Sequence, residues 1–183
     1  MSIEKLGGAM PQDDDPQDLD ELEKYDNADS GAQEQEFNPE REKEKLIQWA
    51  RENLGNSEEE AGEFIEANFK IDTEKEKIIV SKNIDFSPYA ETLKEIPDNT
   101  TFEGDANFGH CTSLKEIPDN TTFERRAYFG GCTSLKEIPD NIIFNGDAYF
   151  TGCSSLTPDL RGKLIKMREE GKIKGELYLS SFV

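Results

Sequence analysis

The feature that most constrains this chain is its repetition. Leu93, Leu114, Leu135 and Leu156 stand 21 residues apart, and Cys111, Cys132 and Cys153 keep the same step. Between them the phrase Leu-Lys-Glu-Ile-Pro-Asp-Asn recurs, beginning at Leu93, Leu114 and Leu135. A fixed period of this length marks stacked supersecondary units, none of which can bury its apolar face alone. The repeat therefore dictates a solenoid before any propensity is considered.

Within one repeat the positions that stay apolar are Phe123, Ala127, Phe129, Cys132, Leu135 and Ile138, followed by Pro139. Residues two apart share a face of a strand, so Ala127-Tyr128-Phe129 reads as a short strand with Ala127 and Phe129 inward. Cys132 turns inward after it, Leu135 and Ile138 close the far side, and Pro139-Asp140-Asn141 makes the turn back. Proline cannot donate to a ladder, which places it outside the strand.

This run resembles a bacterial leucine-rich repeat, in which an apolar-x-apolar strand is followed by Asn or Cys. Phe129-Gly-Gly-Cys132-Thr-Ser-Leu135 looks most like the BspA-like variety, here with a 21-residue repeat and with Ala in place of the first strand leucine. The resemblance covers residues 84–183 and implies a binding scaffold without naming what is bound.

Upstream, Asn38 and Pro39 are a helix cap and a first-turn proline, and Leu46, Ile47, Trp49, Ala50 and Leu54 fall on one helical face before Gly55. Ser57 and Glu60 form a capping box for a second helix that carries Ala61, Phe64, Ile65 and Phe69. Two amphipathic helices must cover something, and the open first coil of a solenoid requires a cap. Ile78-Ile79-Val80 reads as a strand, and an irregular coil around Ile84-Asp85-Phe86 joins the cap to the regular repeats. After Leu156 the pattern changes: Thr157-Pro158 opens a helix with Leu160, Leu164 and Met167 on one face, and Leu177-Tyr178-Leu179 returns to the sheet.

The predicted fold is thus α/β: a short leucine-rich-repeat-like solenoid of about five parallel strands, with a helical-hairpin cap and a helix in the last coil. Residues 1–37 form an acidic tail predicted to be disordered, 38–83 the cap and linking strand, and 84–183 the solenoid. From Met1 to Glu40 there are thirteen Asp or Glu against Lys5 and Lys24 alone, too polar a stretch to offset its ordering entropy.

The formal charge of −19 disfavours nucleic acid and anionic membrane as partners. The first residues lack the basic and apolar regions of a secretory leader, and no apolar run reaches membrane-spanning length, so the expected compartment is cytoplasmic. Three cysteines at one equivalent position read as core thiols in a row, a geometry unsuited to tetrahedral zinc. His110 occupies a loop position held by Gly131 and Gly152 in the next coils, and reads as a bystander. With no nucleophile elbow, phosphate loop or metal-binding helix motif, neither an enzyme nor a cofactor is expected.

The outward residues of the strands, Asp85, Asn107, Tyr128, Tyr149 and Tyr178, make an aromatic strip. Beside it run Asp105, Arg126, Asp147 and Glu176, and Arg125 stands where other coils have glycine. Tyr and Arg dominate binding hot spots. The candidate partner-binding residues are therefore Tyr128, Tyr149, Tyr178, Arg126, Arg125 and Asn107, and the expected partner is a protein segment. The alternative is a cross-strand ladder in which the tyrosines stack on one another while Arg126 pairs with Asp105 and Asp147. In that case the chain is a structural repeat fragment, or one that self-associates through the Leu177–Leu179 edge.

Overall fold

Every turn of the repeat contributes two short strands. The computed structural model describes residues 37–180, where ten strands and three α-helices form a β-solenoid of about 3 turns with stacked parallel strands. The predicted disordered tail lies outside the described residues, except for Phe37.

The expected five-stranded parallel sheet is present. It runs in the order β3 (Ile84–Asp85), β5 (Ala106–Asn107), β7 (Ala127–Tyr128), β9 (Ala148–Phe150) and β10 (Leu177–Leu179), with β3 and β10 at its edges. A second sheet was not foreseen. It comprises β1 (Lys70–Asp72), β2 (Lys77–Val80), β4 (Thr100–Phe102), β6 (Thr122–Phe123) and β8 (Ile143–Phe144), all parallel except the β1–β2 hairpin. The Thr-Thr pairs after Asn99 and Asn120 serve both the turn and the ladder. Thr100 and Thr121 donate their hydroxyls to Pro97 and Pro118 carbonyls at 2.7 and 2.8 Å, closing the Pro-Asp-Asn corner. Thr101 and Thr122 pair in the ladder. Asn99 and Asn120 take positive φ at that corner, a conformation asparagine tolerates better than most side chains.

Identical residues at an identical step meet face to face. Phe86, Phe108, Phe129 and Phe150 stack with ring centroids 5.0–5.1 Å apart, and so do Phe102, Phe123 and Phe144. The two columns meet edge-on, as in the Phe123–Phe129 pair at 5.7 Å and 88°. Edge-to-face and stacked geometries are both favourable for ring quadrupoles, so the columns add to simple area burial. Leu93, Leu114, Leu135, Leu156 and all three cysteines complete a core with almost no solvent exposure.

The coils approach so closely that some positions admit no side chain. A Cβ on Gly146 would lie 2.4 Å from the Arg125 backbone. His110, Gly131 and Gly152 all take positive φ, and the His110 ring fills the space above Gly131.

The ends of the stack are covered by the predicted helices. α1 (Pro39–Leu54) is capped by Asn38, whose side chain accepts from the Arg41 N–H, and ends at Gly55 with φ 71°. α2 (Glu58–Asn68) carries the Ser57–Glu60 capping box. Trp49 meets Phe86 edge-on at 5.9 Å and so terminates one phenylalanine column. Its indole N–H donates to the Glu95 carbonyl at 3.0 Å. Buried Asn53 accepts from the Lys94 and Glu95 N–H groups, fixing α1 to the first coil. That coil steps by 22 residues, and the short 3-10 turn Ser87–Tyr89 absorbs the extra one. At the other end α3 (Pro158–Glu169), capped by Thr157, lengthens the step to 29 before β10 rejoins β9.

The interior of a phenylalanine column has no slack to collapse into. Phe129→Ala is therefore expected to lower unfolding free energy by about 3–5 kcal/mol in urea denaturation. A loss below about 1 kcal/mol would mean that the rings do not form a close-packed column.

Candidate functional site

The strand face predicted as a binding surface is an aromatic ribbon held by its own neighbours. β7, β9 and β10 pair in register, Tyr128 opposite Tyr149 and Tyr149 opposite Tyr178. The rings stack at 4.6 and 4.3 Å between centroids, with interplanar angles of 18° and 2°. Tyr128 and Tyr149 are half-buried between neighbours, and Tyr178, at the open end, is 41% exposed. The ribbon thus presents ring edges, hydroxyls and one outer face to solvent.

Arg126 lies beside it. Its guanidinium grips Asp105 through two nitrogens, with Nη2 2.8 Å from Oδ2 and Nε 3.3 Å from Oδ1, and its Cζ stands 6.0 Å from the Tyr128 centroid. The expected second partner, Asp147, makes other bonds. It accepts from the Glu176 N–H at 2.9 Å and from the Tyr149 hydroxyl at 3.4 Å. Asn107 donates to Asp85 at 2.8 Å and accepts from the Gly109 N–H. Arg125 is exposed and, among the described residues, has no ion pair or hydrogen-bond partner. Asn107, Tyr128, Tyr149 and Tyr178 thus pair across one sheet with Arg126 beside them, Arg126 and Asn107 already bonded, while Arg125 is uncommitted in the bend before β7.

A regular pattern underlies the charged column. The Asn83 side chain accepts from the Asp105 N–H, Asp105 from the Arg126 N–H and Asp147 from the Glu176 N–H. Each such acceptor caps the amide just before the next strand of the sheet. Arg126 has no acceptor to offer and leaves the pattern in its coil, so its cation is displayed on the surface.

The cysteine column is a set of buried hydrogen-bond donors. Cys111, Cys132 and Cys153 are free and fully buried, and each thiol points at the carbonyl of the preceding coil's Phe86, Phe108 or Phe129, at 3.6, 3.0 and 2.9 Å. Burial pushes the Cys111 thiol up to about 12 and also raises the other two, so all three stay protonated. Among the described residues no group of His, Cys, Asp and Glu could hold a metal ion, and no helix is long and apolar enough to cross a membrane.

Two functional features escaped the sequence reading. Asn53, the clamp between cap and coil, is visible only as a polar residue on the apolar face of α1, four after Trp49. The other is a trough of about 880 Å³ over the Ile-Pro-Asp-Asn corners, bordered by Leu160 and Lys163 of α3 and adjoined by a smaller cavity that α1 lines. Its signal in the sequence is the repeated Glu-Ile-Pro-Asp-Asn itself, which was read only as a turn.

In comparisons with protein families, with curated proteins and with solved structures, nothing matches this chain.

The tyrosine ribbon has a pH signature. Desolvation first, then the neighbouring Tyr178 and Asp147, push the Tyr149 phenol up to about 12 from an ordinary value of 10. The folded chain keeps this proton where the unfolded chain has released it, so the contribution is intact below pH 10 and is lost as pH rises towards 12. Urea denaturation at about pH 9 and about pH 11.5 is expected to show a smaller fall for Tyr149→Phe than for the parent. Equal falls would place Tyr149 outside the stack.

Proposed function

We propose that the chain is a non-catalytic protein-interaction module of the leucine-rich-repeat kind, close to the bacterial BspA-like variety and resident in the cytoplasm. The proposed docking surface is the strand face carrying Tyr128, Tyr149 and Tyr178, with Arg126, Arg125 and Asn107 along its margin. A partner protein segment lies across it.

The observation that carries this reading is the ribbon of three stacked tyrosines on a sheet face that no other element covers among the described residues. Stacking has already cost these rings their rotamer freedom, so a partner that lands on them loses little further entropy. Their hydroxyls and the unpaired Arg125 supply polar contacts around an aromatic centre, the composition that dominates hot spots. The kinship to leucine-rich repeats is supported by the order strand, buried cysteine, buried leucine in the three coils that follow β5, β7 and β9.

A second reading rests on β10. Among the described residues this strand pairs with β9 on one side only, and its other edge, with half-buried Leu177 and Leu179, can add a strand from another copy. The chain is then a structural, self-associating element with no dedicated ligand.

Selection of a displayed peptide library against the full chain separates the two. Peptides are expected to bind the parent and to be lost from the Tyr128→Ala, Arg126→Glu, Tyr149→Ala triple variant, with circular dichroism unchanged. Retention of every selected peptide by the triple variant would overturn the strand-face site. Failure to select any peptide, together with sedimentation that shifts with concentration, would favour the β10 edge.

A further inference from the structure

The repeat places a second candidate surface on residues that the tyrosine face does not use. Each coil turns at a Pro-Asp-Asn corner, so Asp98, Asp119 and Asp140 form a column one coil apart, about 4.8 Å per step. At its last position the column already has a cation, since Lys163 of α3 reaches Asp140 at 2.9 Å. The two earlier positions have none. Among the described residues Asp98 and Asp119 make no ion pair, and neither do Glu116 and Glu137, which line the same trough.

The trough has walls and a floor. At one end a second cavity of about 210 Å³, lined by α1, adjoins the first around Asp98, Glu116 and Pro118. α3 closes the other through Leu160 and Lys163, and half-buried Pro118 and Pro139 lie between. The charges facing it from α1, Glu42 and Lys45, neutralise each other at 2.8 Å. What remains is four unpaired carboxylates against Lys136, with Lys163 and Lys172 gathered at Asp140 and a partly apolar floor below. Residues 1–36 do not suit it, because they carry twelve Asp or Glu against Lys5 and Lys24 alone. A second copy, at a formal charge of −19, is repelled for the same reason.

We propose that this trough binds a peptide segment of a partner protein in which lysine or arginine alternates with apolar residues. The cations meet Asp98, Glu116, Asp119 and Glu137 as Lys163 meets Asp140, and the apolar side chains cover Pro118 and Pro139. Each contact is an exposed ion pair of modest strength, so affinity depends on several together and falls with salt.

The test uses the full chain and two fluorescein-labelled peptides of equal charge, one of lysine and leucine, the other of lysine and serine, read by fluorescence anisotropy. The lysine–leucine peptide is expected to bind more tightly. Glu116→Lys with Asp119→Lys is expected to weaken it about tenfold. Glu63→Lys with Glu91→Lys, the same charge change at exposed sites outside the trough, is expected to alter it less than about twofold. Equal weakening by both double variants, equal binding of both peptides, or no binding of the lysine–leucine peptide would each overturn the proposal. The strand-face triple variant should bind this peptide like the parent, so failure here is separable from failure of the tyrosine site.

Discussion

The structure depends on like residues meeting like across one coil. Because the step is 21 residues through the regular repeats, every phenylalanine of a column lies over its counterpart, and every strand finds the same strand beneath it. Parallel ladders need long connections, and here the Cys-Thr-Ser-Leu and Ile-Pro-Asp-Asn arcs supply them without a helix. The edge-on contact between the two phenylalanine columns joins the sheets into one core. The buried thiols add a third column, donating to carbonyls that the strand ladders leave over.

Such a stack is open at both ends, and the chain treats the ends differently. At the N-terminal end, Trp49, Asn53 and the β1–β2 hairpin cover rings, amides and sheet edge together. At the C-terminal end, α3 buries Leu164 and Met167 over the last coil, and the Lys172–Lys174 backbone pairs with Phe144. Among the described residues β10 is the last strand of its sheet. The same two helices that protect the stack also border the corner trough and the smaller cavity beside it.

Much of this was legible in the residues. The period announced the stack, Ala-x-Phe announced one sheet, and Asn38-Pro39, Ser57-Glu60 and Thr157-Pro158 marked all three helices, because capping chemistry is local. The second sheet was not legible. Two-residue strands such as Ile143–Phe144 are too short for an alternating pattern, and the Thr-Thr pairs beside Asn read equally well as turns. The candidate face was legible as a column of outward residues, since alternation decides which side chains leave the core. Its internal bonding was not: Asp147 could have met Arg126 but is taken by the Glu176 amide, a choice made by backbone geometry.

The tyrosine ribbon and the trough are both products of the coil register, and the 29-residue last step must return to that register for Tyr178 to complete the ribbon. Nuclear Overhauser contacts between the tyrosine rings of the selectively labelled chain test this most directly. The account predicts contacts of Tyr149 with both Tyr128 and Tyr178, and none between Tyr128 and Tyr178. A Tyr178 ring with no contact to Tyr149, or one resting on Tyr128, would contradict it.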